Sequence, residues 1–271
     1  ALSRYDNAIL SQSIGVSPLK DAIKELEMLK FAWGEKEFKL KVLNSLSELY
    51  LKDFDYYNAL RVLNDAGNFV QDTKEKQRIA NRMVRVFEGI FLSNQADSKL
   101  SPVKALALYK DFQWLADMSS KKNAIMQRLA DRLVAVDLLA RASDLLNELL
   151  EAPDLSIENK ARIGARLAII DLFQESPNQA IEILDRTQSS DLSLATTGPR
   201  RVIRSRALAQ LGQTDAALAL LANDYSKNAL IHKFQLYWQA GRWAEAADTV
   251  KYLIEEPQEG HPLSVEQVNY I

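Results

Sequence analysis

The sequence predicts an all-α fold of stacked antiparallel helical hairpins, and three observations support this prediction. Glycine and proline are scarce, with 9 and 7 among the 271 residues, whereas residues of high helix propensity dominate. Apolar residues recur at spacings of three and four, the period of an amphipathic helix, and no segment shows the alternation of a strand. Short polar breaks separate these segments, so we expect about a dozen helices.

The first half of the chain contains five predicted helices. Ser17 and Pro18 read as an N-cap followed by proline at the first helical position, which predicts a helix that continues to about Ala32 and ends at Gly34. The next three helices are predicted over about 36–51, 56–66 and 74–92. The polar stretch from Ser93 to Ser101 is the longest predicted loop, and Ser101-Pro102 begins a helix that runs to about Trp114.

Shorter helices are predicted in the second half, separated by breaks that contain glycine, proline or short polar side chains. These breaks lie at Met118 to Lys122, Asp137, Pro153, Ser176-Pro177, Gly198-Pro199, Gly212, Asp224, Gly241 and Pro257.

A repeat becomes visible when the segments are aligned on the alanine near the start of each second helix. These alanines are Ala59, Ala105, Ala142, Ala180, Ala217 and Ala246, at spacings of 46, 37, 38, 37 and 29 residues. Gly212 and Gly241 stand five residues before their alanines, where a turn between two helices is expected. Phe54 and Asp137 occupy the same place in two other units.

This pattern resembles the tetratricopeptide repeat (TPR) family over about residues 35–257. The family's apolar and small positions are filled by Leu43, Leu46, Ser47, Tyr50, Ala59, Leu63 and Ala66, and six of the seven again by Met126, Leu129, Ala130, Leu133, Ala142 and Leu146. The repeats are degenerate, because their spacing varies and Arg201 and Arg204 stand at apolar positions.

The resemblance implies a right-handed α-solenoid with three regions. Residues 1–34 would form an N-terminal capping helix region. Residues 35–257 would form about five to six hairpins, with an insertion loop near 93–101. Residues 258–271 would be the start of the next helix or a C-terminal cap.

Composition argues against several classes of function. The 34 Lys and Arg residues are balanced by 36 Asp and Glu, and the net charge of -2 disfavours nucleic-acid binding and attachment to acidic membranes. The chain has no cysteine, and its two histidines, His232 and His261, lack metal-binding spacing. No glycine-rich phosphate motif occurs, and no apolar run is long enough to cross a bilayer. We therefore expect no catalytic residue, no cofactor, no metal and no membrane insertion by this chain.

The resemblance implies a protein or peptide partner bound on the concave face of the first helices. Family positions that point into this face correspond to Lys41, Asn44, Glu48, Gln127, Asp131, Val202, Arg206, Ile231 and Gln235. Glu48 stands where a carboxylate-gripping subfamily has asparagine, so that binding mode is rejected. The outer apolar residues Val202 and Ile231 favour a hydrophobic segment at one end of the groove.

Two features outside this pattern add candidate binding residues. Arg200 and Arg204 stand four residues apart on one helical face and could grip a carboxylate or phosphate. Among the aromatic residues around Gly241, Trp238 is the one expected to be exposed, whereas Tyr237 and Trp243 occupy core or turn positions.

The sequence thus predicts a non-enzymatic protein-protein interaction scaffold within a larger bacterial protein. Two alternatives stay open: a helical accessory domain of a cell-envelope enzyme, and a self-assembly module that would make the protein a homo-oligomer. The runs 128–137 and 161–170 resemble large repeat proteins of proteobacterial envelopes, which favours the periplasm or envelope over the cytoplasm. The start at Ala1 and the ending at Ile271 indicate a piece of a longer protein.

Overall fold

Helices joined by short turns make up the computed structural model, which describes residues 1–31, 36–94, 98–153 and 155–254. These ranges contain no strand, so the predicted all-α fold of helical hairpins is confirmed. The chain divides into two compact units, Ala1–Leu138 and Leu139–Ile271. None of the described helices is both long and apolar enough to cross a membrane.

Unit 1 packs consecutive helices against one another. Its described helices are α1 (Leu2–Ser13), α2 (Leu19–Leu29), α3 (Lys36–Lys52), α4 (Tyr56–Phe69), α5 (Thr73–Leu92), α6 (Pro102–Asp111), α7 (Gln113–Met118) and α8 (Lys122–Val134). Helix α1 pairs with α2 and α3 pairs with α4, while α2 packs on α3 and α4 on α5. The long helix α5 also packs against α7 and α8. The second helix of each of these pairs therefore also packs against the helix that follows it in the chain.

An aromatic cluster joins α5 to α6 inside unit 1. The ring centroids of Phe87 and Phe91 are 4.7 Å apart, and Tyr109 lies 6.3 Å from the first and 6.1 Å from the second. All three side chains are buried. Such ring pairs add stability beyond the area they bury, so this cluster holds α6 in place behind the loop that the sequence predicts at 93–101.

Unit 2 repeats the same arrangement with shorter helices. They are α9 (Leu139–Leu150), α10 (Ile157–Phe173), α11 (Pro177–Arg186), α12 (Leu194–Gln210), α13 (Thr214–Leu220), α14 (Lys227–Gln239) and α15 (Trp243–Ile254). Helix α10 pairs with α11, α12 with α13 and α14 with α15, and α12 packs on both α10 and α14. Buried Ala180, Ala217 and Ala246 lie near the starts of the second helices, where a small side chain permits close helix packing.

Most of the predicted helix boundaries are confirmed within a few residues. Ser101 caps α6 by accepting a hydrogen bond from the backbone N–H of Lys104 at 3.4 Å, and Pro102 begins the helix as predicted. Ser17 makes no capping bond, and α2 begins at Leu19, one residue later than predicted. Outside the described residues lie Ala32, Gly34, Pro257, His261 and segment 258–271, for which the sequence makes predictions.

Two elements differ from the prediction. The sequence analysis missed α1, because polar side chains dominate it and only Tyr5 and Ala8 are buried. The break predicted at Gly198-Pro199 is wrong, since α12 continues through Pro199. The Glu158 carboxylate accepts bonds from the Ser193 backbone N–H and the Thr196 hydroxyl. These bonds hold the first turn of α12.

In the repeats of Ala59, Ala142, Ala180, Ala217 and Ala246, the turn before the second helix contains one residue with a left-handed backbone. Leu100, at the same place before Ala105, does not adopt it. Gly212 and Gly241 have φ of 76° and 69°, as expected at the repeat turn. The bulkier residues at the same offset adopt this conformation too: φ is 59° at Phe54, 60° at Asp137 and 55° at Glu175. A residue with a Cβ pays a steric cost in this region. Packing of the hairpins therefore imposes the turn even where the residue type opposes it.

Substitution at this turn should change stability in opposite directions at two positions of unit 2. Gly212→Ala should lower the free energy of unfolding by about 1 kcal/mol, because its φ of 76° strains a residue with a Cβ although no other atom would clash. Glu175→Gly should raise the same quantity by roughly 0.5 kcal/mol, because it relieves that strain. Urea unfolding followed by circular dichroism measures both; a neutral Gly212→Ala would contradict the requirement for this backbone.

Candidate functional site

An open cleft of about 350 Å³ in unit 2 is formed by the first helices of three hairpins. Helix α12 lies in the middle and packs against α10 on one side and α14 on the other. The cleft is lined by Ile169, Leu172, Phe173, Arg206, Ala209, Gln210, His232, Gln235, Leu236 and Gln239. Ile169, Arg206 and Gln235 each stand eleven residues before the alanine of their repeat. The repeat therefore places equivalent positions in one cleft.

The floor of the cleft is apolar and one edge carries an exposed aromatic ring. Leu172 and Leu236 are buried, with Ile169 and Ala209 partly buried beside them. Phe173, at the end of α10, is 65% exposed. Exposed apolar surface next to a concave floor is typical of a binding site.

Four polar side chains border this floor. Arg206 of α12 and Gln235 and Gln239 of α14 are exposed. Gln210 donates from Nε2 to the backbone oxygen of Leu172 at 3.2 Å, which ties the end of α12 to α10. Arg206 makes no hydrogen bond or ion pair within the described part of the chain. Its guanidinium is therefore available to a ligand.

His232 lies at the wall of the cleft and is only 6% exposed. Its Nε2 atom is buried and has no hydrogen-bond partner. The pKa of His232 is lowered, first because burial disfavours the charged imidazolium and second because Arg206 is positively charged; hydrogen bonds to the Ser205 backbone and the Gln235 side chain oppose this shift. The imidazole is therefore neutral at pH 7.

Four arginines form a run in α12, at positions 200, 201, 204 and 206, and their side chains have different surroundings. Arg200 is 4% exposed and donates to the backbone oxygens of Ala161 and Leu184 and to Oγ1 of Thr187. Burial lowers its pKa, and the charge of Arg204 adds to this effect. The prediction that Arg200 and Arg204 together offer an open anion site is corrected here: the Arg200 guanidinium lies inside unit 2, where it binds helix carbonyls.

The other arginines of the run lie at the surface. Arg204 pairs with Asp185, and Arg201 pairs with Asp224 at 3.2 Å. Arg206 reaches the cleft. Val202, expected in the groove, is buried in the core with Leu221 and Ala229, because its face of α12 packs inward. Only Arg206 of this run thus lines the cleft.

In unit 1 the predicted groove residues Lys41, Asn44 and Glu48 make polar contacts and do not line an apolar groove. Lys41 packs over the ring of Tyr5 at 4.5 Å and pairs with Asp6 at 3.7 Å, because α1 covers this part of α3. Arg82 donates to Asn44 Oδ1 at 2.9 Å and to Glu48 Oε1 at 3.1 Å. These contacts border a polar cleft of about 440 Å³ that Arg78 and Arg85 also line.

The remaining predicted residues have mixed surroundings. Gln127 is half-buried and Asp131 is exposed on α8, and both interact with other residues of the chain. Trp238 is 57% exposed, as expected, and its ring lies 4.8 Å from that of Trp243. Trp243 is equally exposed at 58%, so its expected core or turn packing is only partial.

Sequence reasoning missed several residues of the cleft. Ile169 has the same offset from Ala180 that Arg206 and Gln235 have from Ala217 and Ala246, so the repeat carries a signal for it. Phe173 and Gln239 lie one helical turn after Ile169 and Gln235, so they share a face with them. Among the described residues there is also no group of three or more His, Asp or Glu placed to hold a metal ion.

No protein-family model matches the chain, and no curated protein matches its sequence. The solved structures to which the chain is similar include the following three. The apo form of RapI shares 15% identity over 93% of this chain and 73% of its own, with a TM-score of 0.41. The TPR domain of P58(IPK) shares 13% identity over 95% of this chain and 67% of its own, with a TM-score of 0.35. The RpL4 assembly chaperone Acl4, residues 1–338, shares 16% over 90% and 98%, with a TM-score of 0.27. These values are too low to transfer a ligand or partner, and the helical-repeat architecture stands on the packing described above.

Proposed function

We propose that this chain is a non-enzymatic protein-interaction scaffold that binds a segment of a partner protein in the cleft of unit 2. The observation that supports it best is the cleft itself, in which three packed helices place an apolar floor beside the exposed polar side chains of Arg206, Gln235 and Gln239. Helices hold such a surface in place, so little ordering cost would oppose binding. A segment with apolar side chains fits this floor, and the glutamine amides can bond to its backbone.

The TPR relationship, the bacterial origin and the place within a larger protein belong to the same proposal. So do the division into a capping region at 1–34, repeats over 35–257 and a further element at 258–271, and the periplasmic or envelope location. The repeat positions in the sequence support the TPR relationship and the division. The resemblance of the runs 128–137 and 161–170 to large repeat proteins of proteobacterial envelopes supports the origin, the larger protein and the location.

The experiment selects random displayed peptides on the intact chain and measures their affinity for two variants. Phe173→Ser should weaken binding about tenfold or more, because the exposed ring at the cleft edge is lost. Leu194→Ser is the matched control: Leu194 is 87% exposed, lies on the neighbouring helix α12 and does not line the cleft. Calorimetric titration gives each affinity.

Equal loss in both variants, or loss in neither, would contradict binding in this cleft. Circular dichroism of each variant supplies the folding control, since both side chains are exposed and their removal should leave the helices intact.

A further inference from the structure

We infer that the cleft of unit 2 takes a carboxylate group of the bound segment on Arg206, and that this binding draws a proton from solvent onto His232. This inference rests on the proposed function and specifies its chemistry.

The charge of the cleft favours an acidic segment. Arg206 is the only cleft-lining side chain with a full charge, and no lining residue is acidic. The neighbouring arginines already have acceptors: Arg200 has helix carbonyls, Arg201 has Asp224 and Arg204 has Asp185. An exposed guanidinium without a partner matches a carboxylate, which it can bind through two parallel hydrogen bonds.

The second observation is the unsatisfied imidazole beside this guanidinium. His232 is more than nine-tenths buried, and its Nε2 lacks a partner. A buried polar atom without a hydrogen bond is uncommon and costly. In the free protein burial opposes protonation of the His232 imidazole, and the charge of Arg206 opposes it further. A carboxylate on Arg206 would cancel the second of these two effects.

The other charged groups around His232 are engaged elsewhere. On its own helix, Lys233 lies over the ring of Tyr225 at 4.9 Å. On α12, Arg201 and Arg204 have the ion pairs given above. The other described ion pairs around α14 join Arg242 to Asp215 and Glu245, and Lys251 to Asp248. On α10, Arg166 has a partner of its own, and burial raises the pKa of Asp171. Arg206 is therefore the charged group that acts on the imidazole.

The sign of the pH dependence follows from this arrangement. The pKa of His232 is lowered in the free protein and rises when a carboxylate neutralises Arg206. The bound state then holds more protons than the free state over this range, so affinity increases as pH falls. If the pKa in the bound state exceeds that in the free state by one, binding should strengthen by about fivefold between pH 7.5 and pH 5.5, because the full tenfold gain needs a pH below both values.

The test uses three acetylated pentapeptides that differ only in charge. The first, Ala-Leu-Asp-Leu-Ala amide, carries a side-chain carboxylate. The second, Ala-Leu-Asn-Leu-Ala with a free C-terminus, carries a C-terminal carboxylate. The third, Ala-Leu-Asn-Leu-Ala amide, is neutral. NMR titration of the histidine Cε1–H signals gives the pKa of His232 with and without each peptide, and His232→Gln assigns the signal. At least one charged peptide should raise this pKa and bind more tightly at pH 5.5, and the comparison of the two tells which source of carboxylate fits.

Variants separate this inference from the proposed function. Arg206→Gln should bring the affinity of the charged peptides down to that of the neutral one and abolish the pKa response. Arg204→Gln, which removes a charge from the same helix outside the cleft, should change neither. His232→Gln should keep the preference for carboxylate but lose its pH dependence.

Three outcomes overturn the inference. If all three peptides bind equally, and Phe173→Ser weakens each of them, the cleft is a peptide site without a carboxylate preference and the proposed function stands. If no peptide binds at millimolar concentration, or if the His232 pKa is the same in free and bound protein, carboxylate capture coupled to protonation is wrong.

Discussion

Replacement of Arg200 by alanine is expected to lower the free energy of unfolding of unit 2 by about 3 kcal/mol. The side chain donates to the backbone oxygens of Ala161 and Leu184, the second at 2.6 Å, and to Thr187 Oγ1 at 3.1 Å. Its loss would leave these buried acceptors without donors and open a cavity between α10, α11 and α12. The relief of a buried charge offsets only part of this cost, because bonds to a charged donor are the stronger ones.

The measurement is thermal and urea unfolding of the full chain, with Arg204→Ala as the matched control. A loss of this size should lower the melting temperature of a unit of this length by about 10 °C. Arg204→Ala removes a partly exposed ion pair with Asp185 and should cost less than about 1 kcal/mol. Arg200→Met fills most of the volume without donating a bond, so its stability should lie between those of the wild type and Arg200→Ala. If Arg200→Ala and Arg204→Ala were equally stable, the buried guanidinium would not support the fold.

The contrast between these arginines shows which features sequence reasoning could reach. Helical periodicity and the repeat offset place Arg206 in the cleft, because both depend on local spacing along one helix. The same spacing puts Arg200 and Arg204 on one face, yet Arg200 is buried and Arg204 is not. The carbonyls that Arg200 binds come from α10 and α11, far away in sequence. The repeat pattern contains no signal for such contacts.

At the turns, the repeat offset predicts a backbone conformation that the residue type does not. The offset from the repeat alanine predicted a turn at Phe54 and Asp137 although neither residue favours it, and both have the left-handed backbone. Glu175 does as well, and the same offset from Ala180 would have found it. Repeat geometry is thus a better guide to backbone conformation here than the residue at the turn, because the flanking helices pack in the same way in each hairpin.

Gly164→Ala is expected to destabilise unit 2 by about 3 kcal/mol, as much as the loss of Arg200. In α10, Gly164 faces Thr187 at the end of α11, and an alanine Cβ would lie 2.8 Å from both Cβ and Cγ2 of Thr187 and closer still to its hydroxyl oxygen. Thr187 cannot simply turn away, because its hydroxyl donates to the Ile183 oxygen at 2.7 Å and accepts from Arg200. The helices must therefore separate or these bonds must break.

Urea unfolding with three further variants tests this contact. Gly89→Ala is the control, because Gly89 lies inside α5 with no other atom within 4 Å of an added Cβ, and its substitution should not destabilise unit 1. Thr187→Ala removes the hydroxyl and the methyl group that an alanine at 164 would meet. The double variant Gly164→Ala/Thr187→Ala should therefore regain part of the stability lost in Gly164→Ala. Since Gly164 and Arg200 both act through Thr187, Gly164→Ala combined with Arg200→Ala should cost less than the sum of the two single losses. Strict additivity would mean that the glycine contact and the guanidinium bonds support the unit independently, and an unchanged Gly164→Ala would mean that α10 can move away from α11 at little cost.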